Sequence, residues 1–170
     1  MNKMAEPKID KICLNMGVGE SGEPLTKAMK VLTDLTGKNP VKTFAKATVP
    51  GFGVRQNQEI GCKVTLRNEA AENFLRKAFK TVGNKLSPKC FDKNGNFSFG
   101  VSEHIELEGM RYDPKIGIFG FDVAVNLIRP GYRIAKRKKS KSKIGNKHKL
   151  TPADSMEYVK NKFGVTIGGK

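Results

Sequence analysis

Residues 59–67 read EIGCKVTLR, and residues 68–82, which follow directly, read NEAAENFLRKAFKTV. The first segment alternates in an extended chain: one face carries Ile60, Cys62, Val64 and Leu66, and the other carries Lys63, Thr65 and Arg67. The second has an apolar stripe at helical spacing, made of Phe74, Leu75, Ala78, Phe79 and Val82, and Asn68 is a suitable cap. A half-buried strand leading into an amphipathic helix predicts a sheet with one covered face and one polar, basic, open face.

A similar unit precedes this one. Residues 8–16 mix β-branched and polar side chains, which indicates a strand. A helix is predicted from Pro24, whose missing N–H is tolerated in a first turn, to Gly37, a natural C-cap. Residues 41–48 predict another strand, in which one face carries Lys42, Phe44, Lys46 and Thr48 and the other carries Val41, Thr43, Ala45 and Ala47.

Turn and cap signals organise the second half. Asn94-Gly95 predicts a tight hairpin turn, and residues 120–128 predict a last strand. Residues 151–154, Thr-Pro-Ala-Asp, form a capping box that opens a short helix. The element order predicts an α+β fold: a split-βαβ, ferredoxin-like sandwich, an antiparallel sheet with helices on one face, plus a basic C-terminal arm and a short helix.

The length of 170 residues suits one domain with a single core. We expect that domain to span residues 1–170, with an α+β core at 8–128, a basic arm at 129–150, and a C-terminal helix and tail at 151–170.

The arm contains the strongest charge signal. Residues 129–149 hold ten Lys and Arg and no Asp or Glu, in a chain of net charge +16. Such a run repels itself and becomes compact beside a polyanion, of which nucleic acid is the commonest in a cell. A solvated basic surface or a localisation signal is the alternative.

Several functional classes are disfavoured. Cys13, Cys62 and Cys90 are far apart, and His104 is remote from His148, so neither a metal site nor a disulfide framework is expected. No cofactor is expected. Glu103, Glu106 and Glu108 surround His104 without a catalytic spacing, which favours a non-enzymatic protein. Without a signal peptide or an apolar run long enough for a membrane, a cytoplasmic protein with no membrane partner is expected.

One motif imitates a dinucleotide-binding turn. Residues 17–22 match G-x-G-x-x-G after a strand and before a helix. The ribose-binding acid of such sites is missing, because no Asp or Glu occurs between Asp34 and Glu59. Two other interpretations stay open, a backbone site for RNA phosphate and a purely local turn.

The open sheet face and a loop are the better candidates. Lys42, Lys46, Lys63 and Arg67 are expected to contact phosphate there, with Asn15 and Thr65 bonding sugars or base edges. An ordinary polar outer face is the alternative. Residues 50–58 contain two glycines and a proline and predict a protruding loop, in which Phe52 either stacks on a base or turns back into the core.

Four ordered motifs carry a resemblance to a known family. They are ICLNMGVGE at 12–20, TGKNPV at 36–41, GCKVTLR at 61–67 and FDKNGNFSFGV at 91–101. In this order and spacing the chain resembles the universal large-subunit ribosomal protein five family over residues 8–128, and its segment 129–148 is similar to the archaeal and eukaryotic branch.

The resemblance implies binding of 5S rRNA and large-subunit rRNA in the central protuberance. It also implies contact with P-site tRNA and with other ribosomal proteins, including a small-subunit head protein across an intersubunit bridge. Asn15 and Thr65 match family positions that touch 5S rRNA. The expected rRNA-binding residues are Asn15, Lys38, Lys42, Lys46, Lys63, Thr65, Arg67, Arg133, Lys136, Arg137, Lys138, Lys139, Lys141 and Lys143. The expected tRNA-contacting loop comprises Pro50, Gly51, Phe52, Gly53, Arg55, Gln56 and Asn57.

The chain departs from the family at residues 37–40. Gly-Lys-Asn-Pro stands where the family often has Gly-Gln-Lys-Pro, so a glutamine contact to RNA becomes a contact from Lys38 or is lost. A non-ribosomal basic protein that binds DNA or assorted RNA remains the main alternative.

Overall fold

The computed structural model describes residues 4–168. Its strands are β1 (Lys8–Gly17), β2 (Val41–Phe44), β3 (Glu59–Leu66), β4 (Lys85–Leu86), β5 (Phe97–Val101), β6 (Phe121–Ile128) and β7 (Thr166–Ile167). Its helices are α1 (Glu23–Thr36), α2 (Asn68–Thr81), α3 (Arg133–Lys136) and α4 (Pro152–Phe163). Five strands form an antiparallel sheet in the order β2-β3-β1-β6-β5, and β4 pairs with β7 in a small parallel sheet.

Alternation along the central strands creates the core. Ile12, Leu14 and Met16 of β1 are buried, as are the corresponding side chains of β3 and β6. They pack with the buried stripes of α1 and α2 in one hydrophobic cluster. The polar residues between them lie on the opposite face, so the predicted α+β sandwich with helices on one face is confirmed.

Helix boundaries follow the predicted signals with one exception. Proline occupies the first turn of α1, and Gly37 ends the helix with a left-handed φ of 65°. Helix α2 begins at Asn68 itself, which takes a φ of 56°, and the N-cap residue is Arg67. The expectation that Asn68 caps α2 was therefore wrong, because its backbone forms the first residue of the helix.

Strand β2 is shorter than predicted, ending at Phe44 instead of residue 48. A register shift falls between Thr43 and Phe44, where β3 inserts an extra residue. The bulge turns the chain, and Ala45 then bonds Gln58 and Asn57 at the entrance of the following loop.

The C-terminal region packs into the same core. The predicted capping box is present, with Thr151 and Asp154 bonding each other's backbone N–H. Val159 and Val165 are buried, and the Phe163 ring lies 5.3 Å from that of Phe79. The short helix after the arm is thus a structural part of the body.

The acidic segment near His104 is the base of a loop. His104 is buried, its N–H donates to the Phe119 carbonyl (3.0 Å), and its Nδ1 accepts from the Phe119 N–H (3.2 Å). Glu103, Glu106 and Glu108 are exposed around it. These contacts give His104 a structural role in closing the loop.

Candidate nucleic-acid interface

The open face is organised in rows that cross the sheet. In one row the register places Asn15 between Lys63 of β3 and Asp122 of β6. In the next row Thr65, Cys13, Ala124 and Ser98 lie side by side. Arg67 and Lys11 lie beyond this second row, towards the start of β1.

This arrangement has a simple consequence for ligands. The second row consists of small side chains, so a ligand backbone can come close to the sheet there. Lys63 and Arg67 are exposed on either side of Thr65 and supply positive charge along that row. Asn15 and Thr65 are exposed and offer hydrogen bonds to sugars or bases. The sequence-predicted residues of β1 and β3 are therefore brought together.

Lys42 and Lys46 do not lie with them, which corrects the predicted grouping. The register pairs Val41 with Lys63 and Lys42 with Cys62, so Val41 is on the open face and Lys42 is on the other. The bulge brings Glu59 to the same side, where its Oε2 lies 2.7 Å from Lys42 Nζ. Lys46 is exposed in the turn after β2. Lys38 is exposed just beyond the end of α1, also outside the sheet.

The arm meets the open face at Asp10. This residue sits in a second bulge, between Ile9 and Lys11. Its carboxylate oxygens lie 2.6 Å from Lys136 Nζ and 3.3 Å from Arg67 Nη1. Burial raises the pKa of the Asp10 carboxyl, but the hydrogen bond from Lys136 and the charges of Lys136, Arg67 and Lys11 outweigh it, so its pKa lies below the ordinary value.

Replacing Asp10 with Asn should reveal this link through pH. A lowered pKa in the folded state means that the carboxylate adds stability above its unfolded pKa of about 3.9, and that this stability is lost as pH falls through the folded value. We expect Asp10→Asn to cost about 1 kcal/mol near neutral pH, because solvent weakens pairs with half-exposed cations. Urea unfolding across the acid range measures it. The exposed Asp34→Asn is the charge-matched control, and a cost independent of pH would contradict the role of the charge.

The base of the arm is closed by a compact set of contacts. Tyr132 Oη accepts from the Leu150 N–H (2.7 Å) and donates to the His148 carbonyl (3.3 Å), while His148 Nε2 lies 2.8 Å from the Pro130 carbonyl. Arg129 pairs with Asp154 at 3.0 Å. Beyond this base the predicted arm cations are exposed: Arg133, Lys136, Arg137, Lys138, Lys139, Lys141 and Lys143.

The predicted loop at residues 50–57 protrudes as expected. Its neck is closed by a bridge between Val49 and Val54, and Gly53 turns the tip with a φ of 65°. Phe52 is 83% exposed, so the interpretation that it turns back into the core was wrong. All seven predicted residues of this loop are exposed, including Arg55.

The glycine turn at residues 17–22 is a local structure. The Val18 and Gly19 N–H groups both donate to the Ile60 carbonyl, at 2.9 and 2.8 Å. Amides used in this way are not available to a phosphate. Gly19 and Gly22 have φ values of 83° and 101°, which explains glycine at both positions.

Other site types were searched for in the described residues. Between residues 4 and 168, no group of three or more His, Cys, Asp or Glu is arranged to hold a metal ion. In the same part of the chain, no helix combines the length and apolar character needed to cross a bilayer.

Sequence reasoning missed two residues of this surface. Lys11 is exposed on the open face, and the alternation of β1 could have identified it together with Asn15. Asp10 had no usable signal, because the bulge that positions it interrupts the alternation.

The comparisons with known proteins agree with this surface. A family model described as ribosomal protein L5 matches residues 2–55, and a second model, described as the C-terminus of the same ribosomal protein family, matches residues 59–158. The large ribosomal subunit protein uL5 of Sulfurisphaera tokodaii is 48% identical over 98% of this chain and 95% of its own length. That of Methanococcoides burtonii is 48% identical over 98% of both chains, and that of Methanosphaera stadtmanae is 46% identical over 98% of this chain and 99% of its own.

Both halves of the chain are thus matched, and the relatives align from end to end. The expected non-enzymatic protein of the large ribosomal subunit is confirmed, since this family is structural. The chain belongs to the ribosomal protein L5 family and works on the ribosome.

Proposed function

We propose that the chain binds 5S rRNA through the open sheet face and larger rRNA through its basic arm, in the central protuberance. The observation that carries this proposal is the row of small side chains, bordered by Lys63 and Arg67, that continues through Asp10 into the arm. The flat, polar strip suits the shallow minor groove of A-form RNA, where 2′-hydroxyls and base edges are displayed.

Affinity and specificity come from different groups. The net charge of +16 favours release of counterions from phosphate, so affinity falls steeply with salt. Asn15 and Thr65 carry uncharged hydrogen-bonding groups, which suit sugars and base edges.

The protruding loop is the proposed contact to P-site tRNA. Phe52 is exposed at its tip and Arg55 follows the neck, so the loop offers one aromatic and one cationic group to an RNA surface. The contact with a small-subunit head protein rests on the family resemblance alone and is not assigned to residues.

Filter binding at moderate salt tests the main proposal. The full-length protein is expected to retain 5S rRNA more tightly than an unrelated RNA of equal length. Equal retention of both RNAs would favour a general basic RNA-binding protein. Retention of neither RNA would refute the interface.

Thr65→Ala should weaken 5S rRNA binding without unfolding the protein. Thr65 is exposed on β3, so little packing is lost, whereas one hydrogen bond to RNA, worth about 0.5–1.5 kcal/mol, disappears. The affinity should fall about 2- to 10-fold at an unchanged urea midpoint. Thr166→Ala, an exposed threonine on β7, is the matched control. Loss of cooperative unfolding in Thr65→Ala would instead make the residue structural.

A further inference from the structure

A groove lies on the open face beside the hairpin turn. Its volume is about 330 Å³, and Lys11, Cys13, Cys90, Asp92 and Asn126 are among its lining residues. We call it the Asn126 groove. It adjoins the row of small side chains, since Cys13 and Ala124 belong to both. A volume at the lower end of small-ligand sites, about 300–1,000 Å³, is sufficient for one flat ring.

Asn126 presents an unused acceptor in this groove. Asn96 Oδ1 accepts from the Leu127 N–H (3.3 Å) and from Asn126 Nδ2 (2.9 Å). The backbone donor identifies the Asn96 atom as oxygen, so the Asn126 atom facing it must be the amide nitrogen. Asn126 Oδ1 therefore points elsewhere, and it is buried with no protein donor among the described residues. A buried acceptor without a partner is costly, which makes a ligand donor favourable there.

We propose that the Asn126 groove receives one unpaired rRNA nucleotide, which donates a hydrogen bond to Asn126 Oδ1. The inference rests on the proposed function, because the groove opens on the same face as Thr65. Lys11 at the rim supplies charge for the adjoining phosphate. Asp92 adds a second acceptor to the lining, so the groove favours a nucleotide that presents donors.

Two donors of a nucleotide have the required chemistry. One is the exocyclic amino group of adenine, cytosine or guanine, and the other is the ribose 2′-hydroxyl. Both are N–H or O–H donors to an amide oxygen, and they differ in which part of the nucleotide becomes protected from chemical modification.

Native cysteines test the occupancy without any mutation. Cys13 and Cys90 line the groove and are partly exposed. Cys62 is buried, and burial raises the pKa of its thiol to about 11, so it serves as an unreactive internal control. Iodoacetamide labelling of the full-length protein, read by mass spectrometry, is compared without RNA, with 5S rRNA and with large-subunit rRNA.

With one RNA at ten times its Kd, alkylation of Cys13 and Cys90 should slow about tenfold. Alkylation at the free rate with both RNAs, while filter binding shows each complex formed, would overturn the proposal. Failure of either RNA to bind would instead refute the proposed function, so the two failures are distinguishable.

Asn126→Leu tests the hydrogen bond itself. The affinity for the protecting RNA should fall about tenfold. One nucleotide should regain reactivity, towards dimethyl sulfate or a guanine-specific reagent if a base donates and towards 2′-hydroxyl acylation if the ribose donates. Unchanged affinity together with an unchanged modification pattern would overturn the assignment. Thiol protection in the wild-type protein remains decisive if this variant does not fold.

Discussion

Gly95→Ala is expected to lower the free energy of unfolding by about 3 kcal/mol. Gly95 is the second residue of the predicted hairpin turn and has a φ of 77°, a conformation that costs a side chain about 1–2 kcal/mol. The turn also packs against the start of α4. A Cβ there would lie 2.4 Å from Ser155 Oγ and 3.0 Å from Leu150 Cβ, so the packing must shift as well.

A matched glycine separates the two effects. Gly83 has a φ of 69°, and a Cβ added to it meets nothing within 4 Å. Gly83→Ala should therefore lose only about 1–2 kcal/mol in the same urea titrations. Equal losses in the two variants would mean that the turn does not depend on its contact with α4.

The alternation of EIGCKVTLR was sufficient to predict the face that Lys63, Thr65 and Arg67 share. Alternation is reliable where one face of a strand is buried, because a shift of one residue would expose the whole apolar set. The strand and the helix after it therefore identify the covered and open sides of the sheet. The Asn94-Gly95 turn and the Thr151 capping box were predictable for a related reason, since both depend on nearby residues.

The same reasoning failed for Lys42. Nothing local to residues 41–48 specifies which side of β2 faces the helices, because both sides of this edge strand are largely exposed. The face is set by pairing with β3, which places Val41 beside Lys63, and by the bulge that brings Glu59 to Lys42. Long-range register of this kind is not written in a short sequence window.

The link between the arm and the sheet was unpredictable for the same physical reason. Asp10 and Lys136 are separated by 126 positions in the chain yet lie 2.6 Å apart. Their pairing makes the beginning of the arm a continuation of the open face. The lysines beyond it extend the positive surface without protein partners that would compete strongly for them, which leads to the second prediction.

Replacing Lys138, Lys139, Lys141 and Lys143 with Gln should lower the affinity for large-subunit rRNA about 100-fold near physiological salt. These four side chains are exposed, whereas the contacts at the base of the arm involve other residues, so the fold is preserved. Each phosphate contact removed reduces the slope of log K against log salt by about 0.7–0.9, which gives a change of about 3 for four contacts. Filter binding over a series of salt concentrations measures both quantities.

The control variant removes the same charge elsewhere. Lys30, Lys77, Lys85 and Lys160 are exposed on α1, α2, β4 and α4, and their replacement by Gln leaves the net charge equal to that of the arm variant. If the arm contacts rRNA directly, the control should change the slope far less, and binding of isolated 5S rRNA should survive the arm substitutions better than binding of the larger rRNA. Equal slopes in the two variants would reduce the arm to a source of long-range attraction, because a field acting at a distance depends on net charge more than on which lysines supply it.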